Sequence, residues 1–247
     1  MQDRYAGDIG DYGKFALLRA IQDEGLTVGL NWYLTEQDER ELSLHDGGYP
    51  IPENLFEYNR ELAEKLTAIF NDEETRSVAT LERAALIDSD AYFSEPVPVR
   101  GRAEWQKRAA AALSSVNVVF LDPDNGFLPP SVKESSCRSV KYAFYEEAAA
   151  FVKGGKSVVV YNHRCRKKPE LYFGEFYERF SVTEGLRGRK TLVITFSRRS
   201  VRDYFVFCAN EEQGRALENA LRKLAQGALG VKGKPLCNEH FTLLSGK

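Results

Sequence analysis

The chain has 247 residues, a net charge of −2, and a composition that is 43% apolar and 28% charged, which is that of a folded globular protein rather than a disordered one. No apolar run approaches the ~18 residues of a membrane span, and Met1-Gln2-Asp3-Arg4-Tyr5 is not a basic region followed by an apolar one, so neither a membrane partner nor a secretory signal is expected. Cys137, Cys165, Cys208 and Cys237 form no C-x-x-C pair, and His45, His163 and His240 are the only histidines; this argues against a zinc knuckle and for a reduced, cytoplasmic protein. Charge is sorted along the chain: Met1 to Val152 carries 15 Lys+Arg against 27 Asp+Glu, and Lys153 to Lys247 carries 19 against 9. Such polarity points to a polyanionic partner for the second half, with a solvated surface as the plain alternative.

In chain order, Ala6-Gly7-Asp8-Ile9-Gly10-Asp11-Tyr12-Gly13-Lys14 is a glycine-punctuated loop running into a helix whose apolar face is Phe15, Leu17, Leu18 and Ile21. Asp8 or Asp11 suits a helix cap, while the loop's backbone N–H groups are placed to approach a ligand. Val28 to Leu34 reads as a strand. The charged stretch Thr35 to Leu44 and the turn His45-Asp46-Gly47-Gly48-Tyr49-Pro50 follow as a long loop. A helix is expected over about Glu53 to Phe70, a short strand over Ser77 to Leu81, a loop and then another strand from Asp88 to Pro96, and an amphipathic helix over Ala103 to Leu113.

Val116 to Leu121 is a β-branched, apolar strand that must end near Asp122, because Pro123 cannot donate to a sheet ladder. It leaves Asp122, Asp124 and Asn125 at its carboxyl end, where open α/β sheets bind ligands; Asp-Pro and Asn-Gly are also ordinary turn chemistry. Tyr142 to Lys153 reads as a helix and Ser157 to Tyr161 as a strand, with Asn162 to Lys168 at its end. Pro169 to Arg179 reads as a further helix. Thr191 to Phe196 and Asp203 to Cys208 are strands joined by Ser197-Arg198-Arg199-Ser200-Val201-Arg202, a link too short for a parallel crossover. Glu211 to Gln226 is the last helix. The alternation predicts one α/β domain over residues 1–247: a doubly wound, mostly parallel Rossmann-like sheet with helices on both faces and an antiparallel hairpin at one edge.

The loop Ala6 to Lys14 and the strand end Phe120-Leu121-Asp122-Pro123 resemble class I S-adenosylmethionine-dependent methyltransferases, and more narrowly the ribosomal-RNA adenine-N6 methyltransferases. The two motifs cover about twenty residues and are also similar to a bacterial family of unassigned function. The resemblance implies methyl transfer to a base amine of nucleic acid. Asp122 and Pro123 would hold that amine, Asp124 and Asn125 would stand where the family carries a proline and a base-stacking aromatic, and Asp8, Gly10, Lys14, Asp46 and Gly47 would bind the cofactor. Phe127, Tyr161 or Tyr5 would have to supply the ring. No glycine-rich turn follows Trp32-Tyr33-Leu34.

Two alternatives stand beside it. Asp122 and Asp124, with Asp8 or Asp46 and His163, converging at one rim would bind Mg²⁺ through oxygen ligands and make a nuclease or phosphohydrolase. A methyltransferase-like fold kept only for binding nucleic acid is the other. The basic residues serve either as phosphate contacts: His163, Arg164, Arg166, Lys167 and Lys168 after one strand, and Arg198, Arg199 and Arg202 after another.

Overall fold

A computed structural model describes residues 1–35, 48–89, 91–226 and 240–244. In chain order the elements are α1 (Ile9–Gln22), β1 (Val28–Asn31), α2 (Glu53–Phe56), α3 (Arg60–Asn71), α4 (Val78–Arg83), β2 (Tyr92–Phe93), α5 (Arg102–Ala112), β3 (Val118–Leu121), β4 (Gly126–Phe127), β5 (Tyr142–Ala143), α6 (Tyr145–Lys153), β6 (Ser157–His163), α7 (Pro169–Val182), β7 (Thr191–Arg198), β8 (Ser200–Phe207), α8 (Glu211–Gln226) and β9 (Phe241–Leu244). Seven strands form one mixed sheet in the order β2-β1-β3-β6-β8-β7-β9, and β4 and β5 make a separate small parallel pair.

Strands β2, β1, β3 and β6 are parallel, and β8 lies antiparallel between β6 and β7. Since β6 and β7 both oppose β8, they point the same way. The carboxyl ends of β1, β3, β6 and β7 therefore share one rim with the start of β8. From β1 the chain steps outward to β2 and then returns across β1 to β3, so the strand order reverses between β1 and β3, the place where open α/β sheets make a ligand crevice.

Strand alternation divides the core in two. Leu30, Phe120, Val159, Tyr204 and Val206 pack under α1, α3 and α8; Val119, Leu121, Val158, Val160 and Phe205 pack toward α5, α6 and α7. Both faces of β3 and β6 are covered, which is why their sequences read as unbroken apolar runs. No described helix is long and apolar enough to cross a membrane.

Several boundaries differ from expectation for local reasons. Ser77 to Leu81 is helix rather than strand, because the Ser77 side chain accepts from Thr80 N and caps α4. The helix expected from Glu53 to Phe70 is two, since Asn59 leaves helical geometry and caps α3 through Leu62 N. Strand β1 stops at Asn31, three residues early, because Tyr33 takes a left-handed φ of 47°. Tyr142 and Ala143 pair as β5 before α6 begins. The Ser197–Arg202 link is mostly ladder, turning on Arg199 at φ 59°, and the hairpin belongs to the antiparallel edge of the sheet, where β9 adds one more strand outside β7.

Candidate functional site

The centre of the rim lies under the amino-terminal end of α1. Asp8 caps this helix, its Oδ1 accepting from Gly10 N at 2.7 Å and Asp11 N at 3.1 Å. Ile9 N donates to Tyr49 O and Gly7 N to Asp11 Oδ2, both at 2.9 Å. These amides, expected to be open to a ligand, are already engaged inside the fold. Two of the glycines serve packing: a Cβ at Gly10 would stand 2.9 Å from Arg202 Nε, and one at Gly13 would stand 2.5 Å from the Phe196 ring. Their absence of side chain lets β7 and β8 press against α1.

One turn along α1, Lys14 is buried with its Nζ 2.6 Å from Asp11 Oδ1 and 2.7 Å from Asp122 Oδ2, and 4.9 Å from the Trp32 ring centroid. The helix of the first motif and the strand end of the second thus meet in one ion cluster. Burial alone would lower the Lys14 pKa, but its two carboxylates outweigh it and hold the ammonium charged. Two carboxylates share one ammonium, and burial pushes the Asp122 carboxyl upward despite Lys14. Asp8 is pushed up to about 6 by burial and by the nearby Asp11, against the pull of Arg202, whose Nη2 is 3.9 Å away.

Extending the Leu121–Val160 register by one residue sets Asp122 beside Tyr161. Tyr161 faces Tyr204 across β8, and His163 faces Arg202; all four belong to the face under α1. Burial lifts the Tyr161 phenol to about 12 and, with Arg202 helping, lowers the His163 pKa. The Tyr204 hydroxyl and the Asn31 side-chain nitrogen are buried without a hydrogen-bond partner among the described residues. Of the three rings proposed for stacking, Tyr161 adjoins Asp122, Phe127 sits in the aromatic core of the opposite face, and Tyr5 packs against the α1 side of the core beneath the Arg4 guanidinium.

The crevice between β1 and β3 is filled by the chain itself. The Met1 amino group donates to Tyr33 O at 2.9 Å and Asp122 O at 3.2 Å and pairs with Asp124 Oδ1 at 2.7 Å. Gln2 Nε2 and Thr35 Oγ1 donate to the other Asp124 oxygen. Burial would raise the Asp124 pKa, but this ammonium outweighs it and holds the carboxyl below its ordinary value. Pro123 is buried between the two acids, and Asn125 is exposed. The described residues therefore do not form a cradle for the S-adenosylmethionine that the resemblance implies: the crevice is packed, and the amides of the α1 loop are spent. Asp46 and Gly47, the other expected cofactor contacts, lie outside the described residues, as does His45. Among the described residues no group of three or more His, Cys, Asp and Glu is arranged to hold a metal ion, and Asp122, Asp124 and Asp8, proposed as Mg²⁺ ligands, are bonded to Lys14, the Met1 amine and backbone amides respectively.

The basic candidates divide. Arg164 turns to the other face and grips Asp203, with Nη2 also 3.0 Å from Thr195 Oγ1. Lys167 pairs with Glu175 on the surface, and Arg198 reaches His240 Nε2 at 2.7 Å. Arg166, Lys168 and Arg199 are exposed and make no ion pair with a described residue. Tyr204 was not singled out by sequence and Asp11 was read only as a possible helix cap; its i,i+3 spacing from Lys14 on one helix face is the signal that could have found the pair. A cavity of about 510 Å³ lies away from this rim, between the Leu128–Ser135 loop and the amino end of α6; Lys133, Glu134, Glu146 and Arg179 give it mixed charge.

The fold and rim define a Rossmann-like α/β protein with a charge cluster at the carboxyl ends of its strands. Compared with family models, curated proteins and solved structures, the chain matches none.

Proposed function

We propose that this is a methyltransferase-like protein that binds nucleic acid across the carboxyl rim of its sheet, with Asp122 at the centre of the site. The observation that carries this reading is the sorting of charge at the rim. Asp11 and Asp122 share Lys14, Asp124 holds the Met1 ammonium, and Asp203 holds Arg164. Arg166, Lys168 and Arg199 are left to face solvent from two adjacent loops. Acids bonded inside the fold beside outward-facing guanidinium and ammonium groups suit a phosphate backbone. The separation of charge along the sequence supports the same partner.

A second reading is methyl transfer to a base amine, and the Asp122–Tyr161 juxtaposition favours it: a carboxylate that accepts an amine proton stands beside a ring on which a base can stack. It requires Met1, Gln2 and Asp124 to leave the crevice before a cofactor enters. Isothermal calorimetry with S-adenosylmethionine, run beside a nucleic-acid binding assay in the same buffer, separates the two. Binding of nucleic acid without uptake of S-adenosylmethionine at millimolar concentration is the expected result. Uptake of the cofactor supports the second reading, and failure to bind any nucleic acid sinks the first.

A further inference from the structure

We infer that the rim takes single-stranded rather than duplex nucleic acid, with the exposed Tyr49 ring as the stacking platform; this deepens the nucleic-acid reading and rests on it. Among the described residues the exposed large hydrophobics are Tyr49, Val99, Leu171 and Val182, of which Tyr49 alone is aromatic, with 51% of it open to solvent. It is held in place by its backbone, not its side chain: its carbonyl accepts Ile9 N at 2.9 Å, at the head of α1. Its neighbour across the rim is Arg199, whose guanidinium carbon lies 5.5 Å from the ring centroid.

The platform is continuous with the rest of the site. Asp8, the residue before Ile9, lies 3.9 Å from Arg202, and Arg202 is the register partner of His163 on β6. Tyr161 and Asp122 come next along the same face. At the surface, Tyr49 stands with Arg199, the exposed His163 ring follows on β6, and Arg166 and Lys168 lie beyond the end of that strand, while Arg202 and Asp122 are buried behind them. This is the pattern of a single-strand surface, where cations follow the phosphates and rings stack on successive bases. A duplex keeps its base faces stacked on one another, so a fixed surface ring finds no face to cover along its length. Stacking tolerates any base, so sequence preference at Tyr49 should be slight.

Fluorescence anisotropy on the full chain, with a labelled mixed-sequence single strand and the matching duplex as probes, tests the inference. The single strand should bind tighter. Tyr49→Ala should weaken it by about tenfold, the effect of losing one stacked base, while Tyr49→Phe keeps it and shows that the ring, not a fold change, is responsible. Arg199→Gln should reduce the steepness of the salt dependence by about one phosphate contact. Duplex binding as tight as single-strand binding, or an unchanged affinity in Tyr49→Ala, overturns the inference while leaving nucleic-acid binding intact. Binding of neither probe overturns both.

Discussion

Two buried charge clusters stand on opposite faces of the sheet, and they are built differently. On the α5–α6 side, Arg102 and Glu147 form a closed unit. Glu147 Oε2 accepts from Tyr33 Oη at 2.8 Å, Phe144 N at 2.8 Å and Arg102 Nη2 at 3.0 Å. The guanidinium also donates to Ser139 O and Tyr142 O and lies 3.8 Å from the Phe144 ring centroid. One charge of each sign is matched by a nearly full set of donors and acceptors, as a buried pair needs if it is to offset its desolvation. On the α1 side, Lys14 serves two carboxylates, Asp8 adds a third acid, and a buried Tyr204 hydroxyl has no described partner. The first cluster pins the Ser139–Phe144 segment to the helices. The second shares one ammonium between two carboxylates and leaves a buried hydroxyl without a described partner at the rim.

That contrast can be broken most strongly at Lys14. Lys14→Met leaves Asp11 and Asp122 buried without their cation and should cost about 3–5 kcal/mol in a urea melt. Adding Asp122→Asn should recover part of the loss; a double variant as unstable as the single would show that volume rather than charge holds the cluster. The paired tyrosines sharpen the comparison at a smaller scale. Tyr33→Phe removes a donor to a buried carboxylate and should cost about 1.5 kcal/mol, whereas Tyr204→Phe removes a hydroxyl with no described partner and should cost nothing or gain up to about 1 kcal/mol. Equal losses for the two would mean that Tyr204 has a partner after all.

A pH dependence on the α1 side sharpens the same contrast. The Asp8 pKa is raised from 3.8 to about 6, so the folded chain holds this proton more tightly than the unfolded one. Its contribution to stability is full below about pH 4 and is lost as pH climbs through about 6. Asp8→Asn keeps a good cap without the charge. Relative to the unmodified chain, the variant should therefore become more stable between about pH 4.5 and 7, read from denaturant midpoints at both ends. A pH-independent difference would show that Asp8 is not held protonated by its surroundings.

The strand ending at Asp122 was legible because Val118 to Leu121 form a short apolar run closed by a proline, and both features are local. The last helix, Glu211 to Gln226, was legible to the residue, since its apolar positions recur with helical period. Ser77 to Leu81 was not, because five residues are too few to show a period and only the Ser77 cap decides. That the Asp122 and Asn162–Lys168 ends share one rim follows from the parallel pairing of β3 and β6. What each charged residue does there was not legible: Arg164 and Arg166 are two positions apart, yet one is bound to Asp203 and the other faces solvent.

The chain by itself determined the alternation of strands and helices, the end of β3 at an Asp-Pro step, and the charge asymmetry between its two parts. These follow from periodicity, backbone stereochemistry and composition, which neighbouring residues settle among themselves. Tertiary structure alone decided that Lys14 meets Asp122 across 108 positions, that the glycines of the first loop make room for Arg202 and Phe196, and that Met1 and Gln2 fill the crevice where the sheet reverses its order. Those are contacts between segments distant in sequence, and burial fixes them: an acid or an amine removed from water must find a partner, and the fold determines which one lies within reach.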